Sequence, residues 1–527
     1  MGISSGAANQ EHWSGRAAFI LAAVGSAVGL GNLVRFPYVA GDTGGGAFVV
    51  LYLLCILFIG IPVLMAELYI GRRGGGSSVA AIRRLATAEG KSSTWALIGW
   101  IGMVASFLIV TFYSVLAGWV LHFVLVSIGD LAANVGENGP GALAAPAFAN
   151  MEEGEISAQL GGLVSNPTRM LVMHAIFMAV TVFIVSRGVK GGIEAAAKVL
   201  MPIFFFLLIM LTLSSLVNGD AAAGFSFLFK PDFSALAANL IDGSILLQAI
   251  GQAFFSLSLG SAMMVTYGIY MSREEDIPTS AKVVGMADTS VALVAGLAIF
   301  PIVFSFPALA ANLDEKGAGF ALLFDTLPLA FHQLPFGGLF AIAFFIMTLF
   351  AALTSSIALL EVAVAFTDGD IDVAPDQRRR RRLIGAISLG GLAFLIGVGH
   401  ALSQVPVSVQ DTFFNSWQPL GAIPLFAGKT LLDVVDFLTA NVLLLLGGFL
   451  TAIFAGWIVS TSAAKEELRF GNEAAFGRWL FLVRWVAPAF VGAVLIYGAI
   501  ISPVLAQRAE RGSEAAQVIE EMSQPAE

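Results

Sequence analysis

The chain has 527 residues, of which 57% are hydrophobic and only 12% are charged, and its formal net charge at pH 7 is −9. Soluble domains carry about 25% charged residues, so this composition excludes a soluble globular protein and predicts a polytopic membrane protein. The single cysteine, Cys55, excludes an intrachain disulfide.

Apolar segments long enough to cross a bilayer recur along the whole chain. A membrane-spanning helix needs about 20 apolar residues, and the segments lack the alternating pattern of a barrel. The segments lie roughly at 15–38, 45–71, 94–127, 168–186, 193–217, 243–271, 283–308, 337–366, 382–402, 433–461 and 479–505. The sequence therefore predicts an all-α polytopic fold with eleven spans.

The positive charges predict the orientation. Lys and Arg favour cytoplasmic loops, and most of the 27 in this chain, including the run Arg378–Arg382, share one side if the N-terminus is inside. The prediction is a cytoplasmic N-terminal segment at 1–13, one membrane domain at 14–505, and a polar, disordered, extracytoplasmic tail at 506–527. We expect a multi-pass protein of the cell inner (plasma) membrane.

Two spans carry the same interruption. The first contains "GSAVGLGN", Gly25–Asn32, and the sixth contains "FFSLSLGSAMM", Phe254–Met264. Unwound backbone in a bilayer leaves carbonyls and amides without partners, and these groups suit a small cation and a carboxylate. Glycine-rich stretches also allow close helix packing. Because the two interruptions lie five spans apart, they indicate two inverted five-helix repeats with a binding site at the breaks.

Polar side chains in two other spans add oxygen ligands. Thr354, Ser355 and Ser356 are adjacent in the eighth span, where hydroxyls otherwise bond to their own helix. Asp288 lies in the apolar seventh span, and it is a functional candidate or else a protonated or helix-capping acid. Beside the broken helices, these oxygens predict binding of a hard cation such as sodium.

Four motifs occur in the first, second, sixth and eighth spans: "AAVGSAVGLGNLVRFPY", "GGGAFVVLY", "GQAFFSLSLG" and "LTSSIA". Through them, residues 11–505 resemble the neurotransmitter:sodium symporters, in particular their bacterial amino-acid transporter branch of eleven-helix type. The resemblance implies sodium-coupled uptake by alternating access. It also implies two inverted five-helix repeats, broken first and sixth helices, and an eleventh helix.

The resemblance further implies two sodium ions. The first would be bound by the carbonyl of Ala27 and the side chains of Asn32, Ser256 and Asp288, with the substrate carboxylate completing the shell. Relatives commonly have Asn in place of Asp288, which leaves the net charge and proton dependence of this site open. The second ion would be bound by the carbonyls of Gly25, Val28 and Ala351 and the hydroxyls of Thr354 and Ser355.

Gly29 stands where monoamine transporters carry an aspartate for the substrate amine, so the resemblance implies a substrate with its own carboxylate, an α-amino acid. The pocket has no fixed charge, which implies a neutral, hydrophobic side chain. The substrate residues would be Ala27, Leu30, Gly31, Ile109, Tyr113, Phe255, Ser256, Ser258, Ser261, Ser355 and Leu359. Compared with some relatives, Ser261 would enlarge the pocket and Ala262 would narrow it. Because these effects oppose each other, the sequence does not specify which amino acid is the substrate.

The resemblance also assigns an outer gate. Arg35 and Asp436 would form its charged pair, and Tyr113 and Phe255 would form an aromatic lid. The chloride site of eukaryotic relatives has serines where this chain has Gln252 and Ala292, although Tyr52 matches. The resemblance therefore implies chloride independence, with Asp288 supplying a fixed negative charge nearby.

On the inner side, Trp13 matches the N-terminal anchor of the family. The basic gate residue expected three positions earlier is Gln10, so Arg16 is the candidate substitute. Its acidic partners would be Asp368 or Asp370.

The alternatives to a sodium symporter are an intramembrane enzyme, a sensor and a proton-coupled transporter. An intramembrane enzyme needs clustered catalytic groups or an H-E-x-x-H motif, and the five histidines are scattered, so we expect no enzyme. A transport-deficient sensor or a proton-coupled transporter stays open, although the latter would lack the Thr354–Ser355 pair. The expected partners are an amino acid and membrane lipid, with no nucleic acid and no obligatory protein partner.

Overall fold

In a computed structural model of the chain, the described residues are 11–233, 244–310, 322–368 and 373–497, and their regular secondary structure is entirely helical. Among these residues, nine helices are long and apolar enough to cross a membrane, and the bent pair Arg16–Ala27 and Gly31–Gly41 passes the same test as one further span. The predicted all-α polytopic fold is confirmed. Residues 1–10 of the N-terminal segment and the tail at 506–527 lie outside the described residues.

The predicted spans occur in the expected order. The bent pair is the first span, and the helices Ser244–Ser256 and Met263–Ile269 form the sixth. The second to fifth spans are Gly46–Gly74, Ser93–Asn138, Pro167–Ser186 and Val189–Asn218. The seventh to eleventh are Ile277–Phe304, Gly337–Thr367, Pro375–Ser403, Leu431–Ile458 and Glu473–Ile496. Shorter helices are Ser78–Ala88, Glu153–Val164, Ala221–Phe229, Leu322–His332 and Thr461–Leu468.

Local signals explain where the helices begin and end. The seventh span begins earlier than hydropathy predicts because the Asp276 side chain accepts a hydrogen bond from the backbone of Thr279, which is N-capping geometry. The third span continues three turns beyond its predicted end, until Gly139 with a φ of 76° stops it. Hydropathy marks only the apolar part of a helix, whereas caps and glycines fix its ends.

The two broken spans lie at the centre of the bundle. The first span packs against the seventh and eighth, and the third packs along the eighth and the fourth. Glycines allow the second and sixth spans to touch through their backbones: a Cβ on Gly71 would lie 1.9 Å from the Val265 carbonyl, and one on Gly268 would lie 2.4 Å from the Leu68 carbonyl. Small residues permit such close packing in membranes, and here they enclose the unwound segments.

Candidate functional site

Both interruptions predicted from the sequence are real breaks in the helices. The two halves of the first span are bent by 53°, and Val28 between them has extended backbone with a ψ of 110°. In the sixth span, helix ends at Ser256 and resumes at Met263, and Ser258, Gly260 and Ala262 have positive φ angles. Such conformations strain residues other than glycine, so the surrounding contacts must hold the break open.

Side chains supply partners for the freed backbone amides. The Asn32 side-chain oxygen accepts from the Gly29 amide at 3.2 Å, and the Tyr113 hydroxyl accepts from the Leu30 amide at 3.4 Å. In the sixth span, the buried Glu67 carboxylate accepts from the Gly260 amide at 2.7 Å, and the Ser261 hydroxyl accepts from the Met263 amide at 3.3 Å. Side-chain acceptors therefore stabilise the backbone amides that lose their helical partners at the two breaks.

The predicted ligands of the first ion meet in one buried cluster. The Asn32 amide donates to the Asp288 carboxylate at 2.8 Å and to the Ser256 hydroxyl at 3.0 Å. The Ser256 hydroxyl donates to the Asp288 carboxylate at 2.6 Å, and the Tyr52 hydroxyl lies 3.3 Å from Ser256. All four side chains are fully buried. Within the described part of the chain, no Lys or Arg nitrogen lies within 4 Å of the Asp288 carboxylate.

The predicted ligands of the second ion also lie together, between the first and eighth spans. The Ser355 hydroxyl donates to the Val28 carbonyl of the first span at 3.3 Å. The Thr354 hydroxyl donates within its own helix, to the Phe350 and Ala351 carbonyls, both at 3.1 Å. A Cβ placed on Gly25 would lie 3.4 Å from the Thr354 Cβ. The donor set is carbonyl and hydroxyl oxygen alone, which fits a hard monovalent cation.

A cavity of about 40 Å³ lies between the two breaks. Ten of the eleven predicted substrate residues line it: Ala27, Leu30, Gly31, Ile109, Tyr113, Phe255, Ser258, Ser261, Ser355 and Leu359. Ser256 is absent from this lining, because its hydroxyl turns toward Asp288. The lining also includes Met263 and Leu444, which sequence reasoning missed. Leu444 belongs to the tenth span, and no local pattern indicates that its side chain reaches the breaks.

Two glycines of the first span are required by close contacts in this cavity. A Cβ on Gly29 would lie 2.6 Å from the Ser355 hydroxyl and 3.1 Å from the Tyr113 hydroxyl, so an aspartate has no room there. A Cβ on Gly31 would lie 2.8 Å from the Phe255 ring. The glycines thus let both the Ser355 hydroxyl, a predicted cation ligand, and the aromatic ring of Phe255 approach the backbone of the first span.

The outer end differs from the predicted charged gate. The Arg35 guanidinium stacks over the Phe255 ring at 4.6 Å, a favourable cation–π geometry. Asp436 interacts with Arg35 electrostatically, but among the described residues the two form no ion pair within 4 Å. The expected Arg35–Asp436 salt bridge is therefore not formed in this conformation, because the guanidinium lies on the aromatic lid. Asp433 caps its own helix through Thr430.

At the opposite end of the bundle, Trp13 lies buried against the second helix of the sixth span, Met263–Ile269. Its indole nitrogen donates to the Tyr267 carbonyl at 3.1 Å, and its backbone amide donates to the Tyr270 carbonyl at 3.0 Å. Arg16, the candidate substitute for a basic gate residue, is exposed. Gln10 and Asp370 lie outside the described residues. One buried cation at this end comes from the ninth span.

That cation is Arg382. Its guanidinium pairs with Glu361 and, at 2.9 Å, with Asp368, while the Tyr270 hydroxyl donates to Glu361 at 2.6 Å. Burial raises the pKa of the Asp368 carboxyl, and the charge of Arg382 opposes that shift. Sequence reasoning missed Glu361 and Arg382 as partners. Their signal was an acid inside the apolar run of the eighth span and a basic run opposite it, but only the fold reveals the pairing.

The Glu67 carboxylate was also missed, although an acid in the apolar stretch "LMAELYIG" of the second span is a recognisable signal. One of its oxygens binds the Gly260 amide, and the other has no hydrogen-bond partner in the structure. Glu67 therefore ties the second span to the unwound part of the sixth.

The chain is similar in sequence and fold to known sodium-dependent transporters. The model of the sodium:neurotransmitter symporter family matches residues 10–135 and 154–417. An uncharacterized sodium-dependent transporter of Bacillus subtilis (strain 168) is 37% identical over 479 residues, 90% of this chain and 95% of that protein. One from Haemophilus influenzae is 30% identical over 489 residues, 92% and 98% of the two chains. The crystal structure of MhsT in complex with L-phenylalanine superposes with a TM-score of 0.75 and 38% identity, covering 93% of this chain and 100% of that one.

Proposed function

The chain belongs to the sodium:neurotransmitter symporter family, which makes it a multi-pass sodium-coupled transporter and not an enzyme. On that premise we propose that it imports a neutral, hydrophobic α-amino acid together with two sodium ions by alternating access. We further propose that the N-terminus is cytoplasmic and the C-terminus extracytoplasmic in the cell inner membrane, as the distribution of Lys and Arg favours.

One observation supports the first sodium site above all others. Asp288 is fully buried and has hydrogen-bond donors around it, but no Lys or Arg of the described residues pairs with it. A carboxylate removed from water is costly unless a cation accompanies it. The Ser256 hydroxyl and the Asn32 side-chain amide lie against this carboxylate, and Ala27 lines the adjacent cavity. Sodium bound at this point supplies the missing positive charge. The same negative charge supports transport without chloride.

The second sodium site is supported by its position across two spans. The carbonyls of Gly25 and Val28 come from the broken first span, while Ala351, Thr354 and Ser355 come from the continuous eighth span. A cation bound between them holds these spans together, and its departure releases them. Sodium binding is thereby coupled to the relative position of the two spans, as alternating access requires.

The substrate class is supported by the cavity and by one relative. The lining carries no charged side chain, and Ile109, Phe255 and Leu359 give it an apolar surface. The amides of Leu30 and Gly31 lie at the start of a half-helix, beside the Tyr113 hydroxyl that accepts from Leu30 at 3.4 Å. This position suits a carboxylate, which would also complete the first sodium shell. MhsT, which shares the fold, has been crystallised with L-phenylalanine. At about 40 Å³ the cavity must expand to admit such a molecule.

The deciding experiment is uptake by the purified protein in liposomes. Labelled neutral amino acids are supplied with an inward sodium gradient, with choline in place of sodium, or with a proton gradient alone, each with chloride or gluconate. We expect uptake of a hydrophobic amino acid that needs sodium and is indifferent to chloride. Uptake that continues in choline under a proton gradient would favour a proton-coupled transporter. Tight amino-acid binding with no uptake in any condition would favour a sensor.

A further inference from the structure

A basic cavity lies at the Trp13 end of the bundle, between the fourth and ninth spans. It has a volume of about 760 Å³ and is lined by Ser186 and Arg187 at the end of the fourth span and by Arg378, Arg379 and Leu383 of the ninth. The two helix ends are tied together, because Arg382 donates to the Val185 carbonyl at 3.0 Å. Basic side chains from two helices thus converge on one opening, which also borders Tyr270, Asp368 and Arg382. None of its described lining residues also lines the cavity between the two breaks.

Some charged side chains in this cavity have partners of opposite charge, and others have none in the part of the chain that the structure describes. Arg382 and Asp368 pair with each other, and the Glu11 carboxylate accepts from the Val189 amide at 2.6 Å. Arg187 and Arg379 are exposed, and in the described ranges neither has a carboxylate within 4 Å. Asp376 also lines the cavity, but it sits in the first turn of the ninth span, where the helix dipole favours an acid. The rim therefore presents two guanidinium groups that have no counter-ion among the residues the structure describes.

Beside Arg187 and Arg379, the fourth and ninth spans expose apolar side chains. Leu383, Ile384 and Ile387 of the ninth span are 47%, 53% and 57% exposed, and Phe183 of the fourth span is 55% exposed. The Arg187 guanidinium lies over the Phe183 ring at 4.2 Å. In a bilayer these exposed side chains face lipid tails, while the arginines reach toward the headgroups. The cavity therefore lies where a lipid headgroup meets its acyl chains.

We propose that this cavity binds the phosphate headgroup of an anionic phospholipid in the leaflet that it faces. Guanidinium groups bind phosphate oxygens in a bidentate manner, and basic pockets between spans are suited to anionic headgroups. A soluble phosphate shares the charge but gains nothing from the apolar rim. A zwitterionic lipid shares the tails, but its cationic group meets Arg187 and Arg379.

The test measures lipid binding by the full-length protein in neutral detergent, with native mass spectrometry as the readout. Phosphatidylglycerol, phosphatidylcholine and inorganic phosphate are titrated separately. We expect one saturable phosphatidylglycerol, which the double variant Arg187→Gln/Arg379→Gln binds about twenty-five-fold more weakly, about fivefold for each arginine. The matched control Arg380→Gln/Arg381→Gln removes the same charge from exposed positions outside the cavity, and it should bind nearly as the parent does.

Equal losses in the two double variants would overturn the proposal, because they would indicate diffuse surface charge. Equal binding of phosphatidylcholine would also overturn it, and displacement of the lipid by equimolar inorganic phosphate would identify a site for soluble anions. The variant Arg187→Lys/Arg379→Lys keeps the charge and the fold while losing the fork geometry. It should bind more weakly than the parent, and unchanged binding would exclude the bidentate contact. None of these readouts depends on transport.

Discussion

Asn32 contacts Asp288 at two atoms: its side-chain amide donates to the carboxylate at 2.8 Å and to the backbone carbonyl at 3.1 Å. One side chain of the broken first span therefore holds the seventh span by two hydrogen bonds at the proposed first sodium site. Because the same Asn32 also accepts from the Gly29 amide, the geometry of the break and the geometry of the carboxylate are linked through a single residue.

The substitution Asp288→Asn should weaken sodium activation of uptake. The amide keeps the size of the side chain but removes the buried negative charge, so we expect the half-saturating sodium concentration to rise by about tenfold, equivalent to about 1.4 kcal/mol. Sodium dependence of uptake in liposomes measures this. Asp411→Asn, at an exposed acid, is the control and should leave the value unchanged. Unaltered sodium activation in Asp288→Asn would show that Asp288 binds no ion.

The substitution Gly29→Ala should abolish high-affinity substrate binding. Its Cβ would lie 2.6 Å from the Ser355 hydroxyl, and overpacking costs about 1–3 kcal/mol, or roughly 5- to 150-fold in affinity. Equilibrium binding of the transported amino acid in detergent gives the measurement. Gly41→Ala is a matched control in the same span, since a Cβ there meets nothing within 4 Å. Similar losses in both variants would point to a general effect on the helix.

The substitution Leu444→Ala should change which amino acids are taken up. Removing this side chain from the cavity wall makes room for a bulkier substrate. The ratio of aromatic to small aliphatic uptake should therefore rise by about tenfold or more, since one methylene in an apolar pocket is worth about 1–3 kcal/mol. Competition between labelled and unlabelled amino acids measures the ratio. Leu446→Ala, a half-buried neighbour outside the cavity lining, should leave it as it is. A shift of equal size in Leu446→Ala would exclude a direct role for Leu444.

The substitution Arg382→Gln should destabilise the protein strongly. It leaves Glu361 and Asp368 buried without their cation, and breaking a buried ion pair by removing one partner costs about 3–5 kcal/mol. The melting temperature of the detergent-solubilised protein should fall by many degrees. In Arg381→Gln, at the exposed neighbouring position, it should stay within a degree or two. The double variant Glu361→Gln/Arg382→Gln should recover part of the lost stability. If its melting temperature is no higher than that of Arg382→Gln, the two side chains do not pair directly.

Local chemistry in the sequence determined much of this protein. Hydropathy identified the spans, since each residue contributes its own transfer free energy to a segment of about 20. The glycines around Gly29 and Gly260 located the two breaks, and the family resemblance, confirmed by the comparisons, supplied the predicted ligands that the structure brings together.

Only the tertiary structure decided which distant groups meet. Arg382 pairs with Glu361, Glu67 binds the Gly260 amide, and Leu444 reaches the cavity from the tenth span. Arg35 lies on Phe255 and forms no ion pair with Asp436 in this conformation. Hydropathy and motif spacing describe each segment alone, whereas ion pairs and pocket walls depend on distances between helices that are far apart in sequence. Those distances are set by how the bundle packs around its two unwound segments.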